Sequence, residues 1–391
     1  MEAKRFGNLV LTPVTQSICK ERINNIPAEV KNTLQYNELF ANVKPGDTVC
    51  IGVPSRGIAC MSTVVKTVVT ALQGLQAKPF IVPAMGSHGG GTAAGQTAVL
   101  AEYGMDENTV GIPINSDTEA VKIGDTRVLG KQTPIYWDRF AAKADHILVI
   151  NRIKEHTAFT GPVESGLMKI LALGLGKPRG ATIIHQAGLK ETMPVVADWL
   201  IKHLPILGGI AIVENGLHEA MRIEAVPAER IASREPELLE LARAVLPRLP
   251  FQDLDVLIIG KIGKDISGTG MDTNVIGKYR RNWGEASPNY QCIIALDLTD
   301  ASQGNATGVG FADIITQQLF DKIDLQATRL NCLTAGNFNG AKIPMIAKDI
   351  DEAVEWALRG FGENPRVVYI NSTLDLETFW VSKQLIFAEK H

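Results

Sequence analysis

A chain of 391 residues, 45% hydrophobic and 21% charged, is larger than one core usually organises and fits two α/β-sized domains. Lys and Arg number 39 against 42 Asp and Glu, a formal charge of −3, so no long-range field gathers nucleic acid or an anionic membrane surface. The 36 glycines and 19 prolines follow no period, which excludes collagen-like and low-complexity architectures. Cys19, Cys50, Cys60, Cys292 and Cys332 include no CxxC pair and no Cys/His quartet, and read as reduced core thiols. The opening MEAKRFGNLV carries no apolar run and no later stretch approaches 18 uncharged apolar residues, so a soluble, cytoplasmic protein is expected.

In chain order, DTVCIGVPS (47–55) predicts a buried strand that delivers Arg56 on a loop. A helix over 61–77, the strand PFIVPAM (79–85), the loop GSHGGGT and a helix from Thr92 follow. This alternation predicts right-handed βαβ crossovers on a parallel sheet, with functional loops at the carboxyl ends of the strands. ADHILVINRI (144–153) is a further buried strand, running into a glycine-rich polar stretch, KEHTAFTGPVESGLMKILALGLGKPRGATIIHQAG, read as a loop region. IKHLPILGGIAIVENG (201–216) reads as a helix end and one more strand, an amphipathic helix at 235–251 comes next, and the two prolines closing that helix set the predicted domain boundary. The expected fold is thus α/β with two domains, 1–250 and 251–391, each a mostly parallel sheet flanked by helices, and the active site in the cleft between them. DVLIIGKIGKDISGTGMD (255–272) opens the second domain with a strand and another glycine-rich loop.

Of seven histidines, His88 stands out, because Gly86, Gly89, Gly90 and Gly91 surround it at a strand's carboxyl end and would aim backbone N–H groups into the same space. An imidazole there suits proton transfer, and equally suits a turn beside a phosphate-binding loop. His156, Lys169 and His185 form a second set, spaced by 13 and 16 residues with five glycines interleaved. Two imidazoles and an amine can serve as metal ligand, acid/base and covalent anchor, while a lone Lys in such a place is also a common phosphate or surface contact. GTG (268–270), GVG (308–310) and GGGTAAG (89–95) do not complete GxGxxG, and no GxxxxGK[ST] or GxSxG motif occurs, which argues against standard dinucleotide, ATP and serine hydrolase sites.

The Ser-Arg-Gly loop after the first strand, AMGSHG after the second, the His156, Lys169 and His185 spacing, and IGKDISG (262–268) together resemble the lactate racemase family, over roughly residues 50 to 270. That resemblance implies a nickel-pincer nucleotide, the pyridinium-3-thioamide-5-thiocarboxylic acid mononucleotide carrying Ni(II), bonded to Lys169 and completed in its nickel coordination by His185. It implies His88 and His156 as acid and base on opposite sides of the substrate. Arg56 and Lys264 match basic residues near the cofactor phosphate and substrate carboxylate, and Ser87 and Gly89 join them as cofactor-binding residues. The implied reaction inverts C2 of a 2-hydroxy acid by reversible hydride transfer, with cofactor-biosynthesis enzymes needed for maturation.

The sequence departs from the family pattern in a longer His156–Lys169 interval and in VPSRGIA around Arg56. Trp283 and Trp380 are candidates for an aromatic substrate wall, and Arg280 and Arg281 read either as a solvated charge pair or as contacts for an acid longer or more polar than lactate, such as a sugar acid. Two rivals remain from other classes: a metal-dependent hydrolase or lyase using His88 and His156, and a carrier of a nickel nucleotide held by Lys169 and His185.

Overall fold

A computed structural model describes residues 2–388 apart from Arg56, Ala59, Ser87, 278–286 and Ala335. The chain forms two compact units, one from Cys19–Leu246 and one joining Met1–Ile18 to Pro247–His391. Strands β1 (Lys4–Phe6) and β2 (Leu9–Thr15) open the chain. The Cys19–Leu246 unit then carries β3 (Thr48–Val53), β4 (Lys78–Pro83), β5 (Ala120–Val128), β6 (Lys131–Asp138), β7 (His146–Arg152), β8 (Ile206–Glu214) and β9 (Ala220–Pro227). Its helices are α1 (Ile26–Tyr36), α2 (Met61–Gly74), α3 (Ala93–Glu102), α4 (Glu107–Val110), α5 (Leu167–Lys169), α6 (Lys177–Ala187), α7 (Leu189–His203) and α8 (Ile231–Val245).

The main sheet of this unit has the order β4-β3-β7-β8-β9, with the first four strands parallel and β9 returning antiparallel to β8. Its central strands are buried on both faces, the environment that near-continuous apolar runs such as TVCIGV demand. Alternate residues feed two separate cores. Cys50, Val149 and Ala211 pack with the helices from α5 onward, whereas Ile51, Leu148 and Ile210 pack with the α1 and α2 side. Because β4, β3, β7 and β8 run in one direction, their carboxyl ends share one edge, where loops of an open α/β sheet place their chemistry.

The second unit holds an eight-stranded sheet in which β1 and β2 join six later strands of the C-terminal half. Those strands are β10 (Asp253–Ile262), β11 (Asn289–Leu298), β12 (Ile314–Thr316), β13 (Met345–Ala347), β14 (Val367–Ile370) and β15 (Thr378–Val381), in the order β1-β2-β15-β14-β10-β11-β12-β13. The strands from β14 to β13 are parallel, and β15, β2 and β1 extend the sheet antiparallel. The division into 1–250 and 251–391 differs here. Residues 1–18 group with the C-terminal half because β2 hydrogen-bonds β15, Thr12 opposite Val381 and Val14 opposite Phe379.

A hairpin absent from the sequence reading, β5–β6, closes through Leu129 and Gly130, both at positive φ, the conformation of a tight two-residue turn. It braces the segment after Gly166: the indole N–H of the fully buried Trp137 donates to Leu171 O at 2.7 Å, and Asp138 N–H donates to Leu175 O at 2.7 Å. Lys177 is also fully buried, at a φ of 56° that costs a non-glycine residue about 1–2 kcal/mol. Its ammonium lies 3.1 Å from Asp138 Oδ2 and donates to Pro83 O at 2.9 Å, fastening the end of β4, the end of β6 and the start of α6 at one point. Lys177→Met strands the Asp138 carboxylate in the core and should cost about 3–5 kcal/mol, with most of the loss recovered by adding Asp138→Asn. Urea unfolding of the single and double variants measures this; equal losses in both would show that the charge pair is not what holds the three segments.

Candidate active site

Two of the sheet's parallel strands, β4 and β7, flank β3, and each delivers a histidine. His88 follows β4, exposed at the start of a turn over Gly89–Gly91. Gln96, buried on α3, donates to Gly86 O at 2.9 Å and His88 O at 3.3 Å and so pins the loop from behind. Gly89 sits at a φ of 63°, where a Cβ would lie 2.7 Å from Gln96 N, so no other residue fits between the turn and α3. The His88 Nδ1 is 2.5 Å from Ser55 Oγ, on the loop after β3. A hydroxyl can donate to Nδ1 or accept from it, which lets the ring carry or release a proton at Nε2 without losing its partner.

His156 follows β7. Its Nδ1 accepts from Ala158 N–H at 3.0 Å, its ring stacks on Phe159 with centroids 4.6 Å apart, and its own N–H donates to Glu164. Since β4 and β7 both pair with β3, the two histidine loops leave strand ends separated by two inter-strand spacings, about 10 Å.

Lys169 ends α5 and leads into a π-helical turn, Ile170–Gly174, followed closely by α6 with His185 in its last turn. The stretch read as a loop is therefore largely helical, and its glycines permit close approaches. At Gly166 a Cβ would meet Glu235 Oε1 at 2.2 Å. Glu235, buried on α8, uses that access to accept Met168 N–H at 2.9 Å, while Asn151 at the end of β7 donates to Gly166 O at 2.9 Å. A π turn frees backbone groups from the regular ladder and often marks a functional position. His185 is held below its ordinary value, first by the desolvation its surroundings impose and second by the charge of Lys169. The direction keeps the imidazole neutral at pH 7, with a lone pair to give and an amine within electrostatic reach. An amine on α5 and a neutral imidazole in the last turn of α6, close enough to interact electrostatically, are a donor set that could hold a covalently tethered ligand carrying a metal.

Lys264 lies in the other unit, on the loop after β10, where its ammonium donates to Gly268 O and Asn331 Oδ1, each at 2.8 Å. Asn331 Oδ1 also accepts from Asn305 and Thr307, so the lysine is set in a polar network that short-range sequence reading missed. Trp380, a candidate for a substrate wall, is instead a core residue of β15: it packs edge-on against Tyr369 and donates its indole N–H to Glu2 O. Arg56, Ser87, Arg280, Arg281 and Trp283 lie outside the described residues. Gln96, Glu164 and Glu235 were not singled out from sequence, and Ser55 entered only as part of the Ser-Arg-Gly loop. Only Ser55, beside Arg56 on a strand-end loop, carried a local signal. Among the described residues no group of three or more His, Cys, Asp or Glu side chains gathers as a metal cage.

These features define a two-unit α/β protein with histidines at a parallel sheet edge and an amine–imidazole pair on the helical segment beside it. No family model and no curated protein matches the chain. Among solved structures, the lactate racemase apoprotein from Thermoanaerobacterium thermosaccharolyticum is similar over 96% of this chain and 98% of its own, with a TM-score of 0.55 at 13% identity. At that identity the likeness is one of fold, and the chain has a lactate-racemase-like fold.

Burial pushes the Glu235 carboxyl up to about 7, only partly offset by the backbone N–H groups of Met168 and Leu167. A carboxyl that binds its proton more tightly when folded adds stability below its unfolded value, near 4.5, and loses it as pH rises through 7. Glu235→Gln should therefore remove a fall of up to about 3 kcal/mol between pH 4.5 and 8. Urea unfolding across that range tests it, and an unchanged slope in the variant would assign the pH dependence elsewhere.

Proposed function

We propose that the chain is a racemase or epimerase that inverts C2 of a 2-hydroxy acid, with a nickel-pincer nucleotide anchored on Lys169 and its nickel ligated by His185. The observation that carries this reading is the Lys169–His185 pair, an amine beside an imidazole kept neutral, in a chain whose fold is that of a lactate racemase. When bound, such a group supplies a reversible acceptor for the hydrogen on C2. Lys169 and His185 hold it, and the π turn and Glu235 fix the direction in which the lysine leaves the backbone.

The protein's own share of the chemistry is proton handling and orientation. His88, backed by Ser55 Oγ, takes the hydroxyl proton at Nε2, and His156 faces the same substrate from the loop after β7. By the family resemblance, Arg56 and Lys264 are assigned to the phosphate and carboxylate charges, and Ser87 and Gly89 to cofactor binding. Arg280 and Arg281 favour an acid longer or more polar than lactate. Maturation requires the cofactor-biosynthesis enzymes. Among the described residues no helix is long and apolar enough to cross a membrane.

Protein co-produced with those enzymes should show a mass adduct lost in Lys169→Ala and near-stoichiometric nickel lost in His185→Ala. His88→Ala and His156→Ala should keep nickel while inversion falls by about 10²–10⁴-fold. A sugar acid should exceed lactate in kcat/KM. An unmodified mass without nickel, where a known nickel-pincer enzyme loads normally, would reject the reading in favour of a hydrolase or lyase on the same scaffold.

A further inference from the structure

The loop from His156 to Glu164 is built around one carboxylate. Glu164 is fully buried, accepts His156 N–H on Oε2 at 2.5 Å and Gly161 N–H on Oε1 at 2.9 Å, and receives Arg243 Nη2 on Oε1 at 2.6 Å. Arg243, reaching across from α8, also donates to Gly161 O at 3.1 Å and lies 3.7 Å from Glu155. A buried carboxylate with one cation and two amide donors is a stiff hub, since losing any donor leaves unpaired charge in a medium that cannot solvate it. The hub closes the chain over residues 156–164, and inside that closure Ala158 N–H meets the His156 Nδ1 at 3.0 Å while Phe159 covers one ring face.

An amide N–H can only donate. The Nδ1 it meets must therefore keep its lone pair, and the proton of the neutral ring sits on Nε2. We infer that Glu164, clamped by Arg243, is a positioning residue that locks His156 in the Nε2–H tautomer. The contrast with His88 is direct, because its Nδ1 partner is a hydroxyl that can reverse its role and an amide cannot. His156 thus enters the reaction as a donor at Nε2, and it can take up a second proton on Nδ1 only after the Ala158 bond opens. The tautomer stands independently of the proposed racemase chemistry; its catalytic role rests on that reading.

The test is long-range ¹H–¹⁵N correlation on the full chain labelled with ¹⁵N-histidine, before and after cofactor loading, with the His156 signals assigned by their loss in His156→Gln. Wild type should show an unprotonated Nδ1 and a protonated Nε2. Glu164→Gln, which can no longer accept both amides and the guanidinium, should give a mixture of tautomers and lower kcat about tenfold or more, with KM changed less than about threefold. Arg243→Lys, which keeps the charge but not the fork, should fall between the two. A protonated Nδ1 in wild type would overturn the inference, as would an unmoved tautomer in a folded Glu164→Gln. If Glu164→Gln fails to fold, Arg243→Lys decides in the same way. Cofactor-free spectra keep the two ideas apart: a failed nickel adduct leaves the tautomer result intact, and a wrong tautomer leaves the adduct intact.

Discussion

A carboxylate taken out of water must be given donors, and in the Cys19–Leu246 unit that requirement organises the candidate site. Asp138, Glu164 and Glu235 are all buried and all accept backbone N–H groups, and Glu164 and Glu235 take theirs from segments that carry or adjoin a candidate residue. Asp138 takes Phe140 and Ala141 N–H and the Lys177 ammonium at the start of the helix whose last turn holds His185. Glu164 holds the His156 loop, and Glu235 caps the turn before Lys169. The three differ in how their charge is met. Asp138 and Glu164 have a cation each, whereas Glu235 is met by backbone N–H groups, and it is the one whose carboxyl burial drives toward neutrality.

Helix α8 gains a second meaning from this arrangement. Glu235 and Arg243 are eight residues apart, about two turns plus a fraction, so they lie near one face. One reaches the Lys169 segment and the other the His156 loop. A single rigid element thereby spans both the expected anchor and an expected proton carrier. Such a span is worth more to a reaction than the strength of either contact, because sub-ångström placement of reacting groups governs rate.

Strands that are buried on both faces were legible in the sequence because burial forces uninterrupted apolar runs, as in β3, β7 and β10. His88 was legible for a related reason, since glycines after an apolar run mark a strand-end turn. The segment around Lys169 was misread because glycine density signals a loop, while here glycine at 166 serves a close approach to a carboxyl 69 residues further on. Hairpin β5–β6 escaped because its first strand is half exposed and carries scattered charges, leaving no clean alternation. The hubs were beyond sequence reasoning altogether: Glu164 and Arg243 are 79 residues apart, and Glu235 and Met168 are 67 apart. A lone Glu or Arg on an amphipathic helix looks the same whether it is solvated or buried against a distant partner.

The same separation explains how one fold can be shared at 13% identity. Sheet order and the direction of β4, β3 and β7 bring two loops to one edge whatever the apolar residues are, provided they are apolar. The edge alone fixes positions to within a strand spacing, which is coarser than proton transfer tolerates. The remaining precision has to come from contacts that do not slide, and charge-assisted hydrogen bonds in a dry interior are the stiffest available to a polypeptide. In this chain those contacts are made largely to backbone amides, so the residues that position the candidate histidine and lysine segments need not themselves touch a ligand.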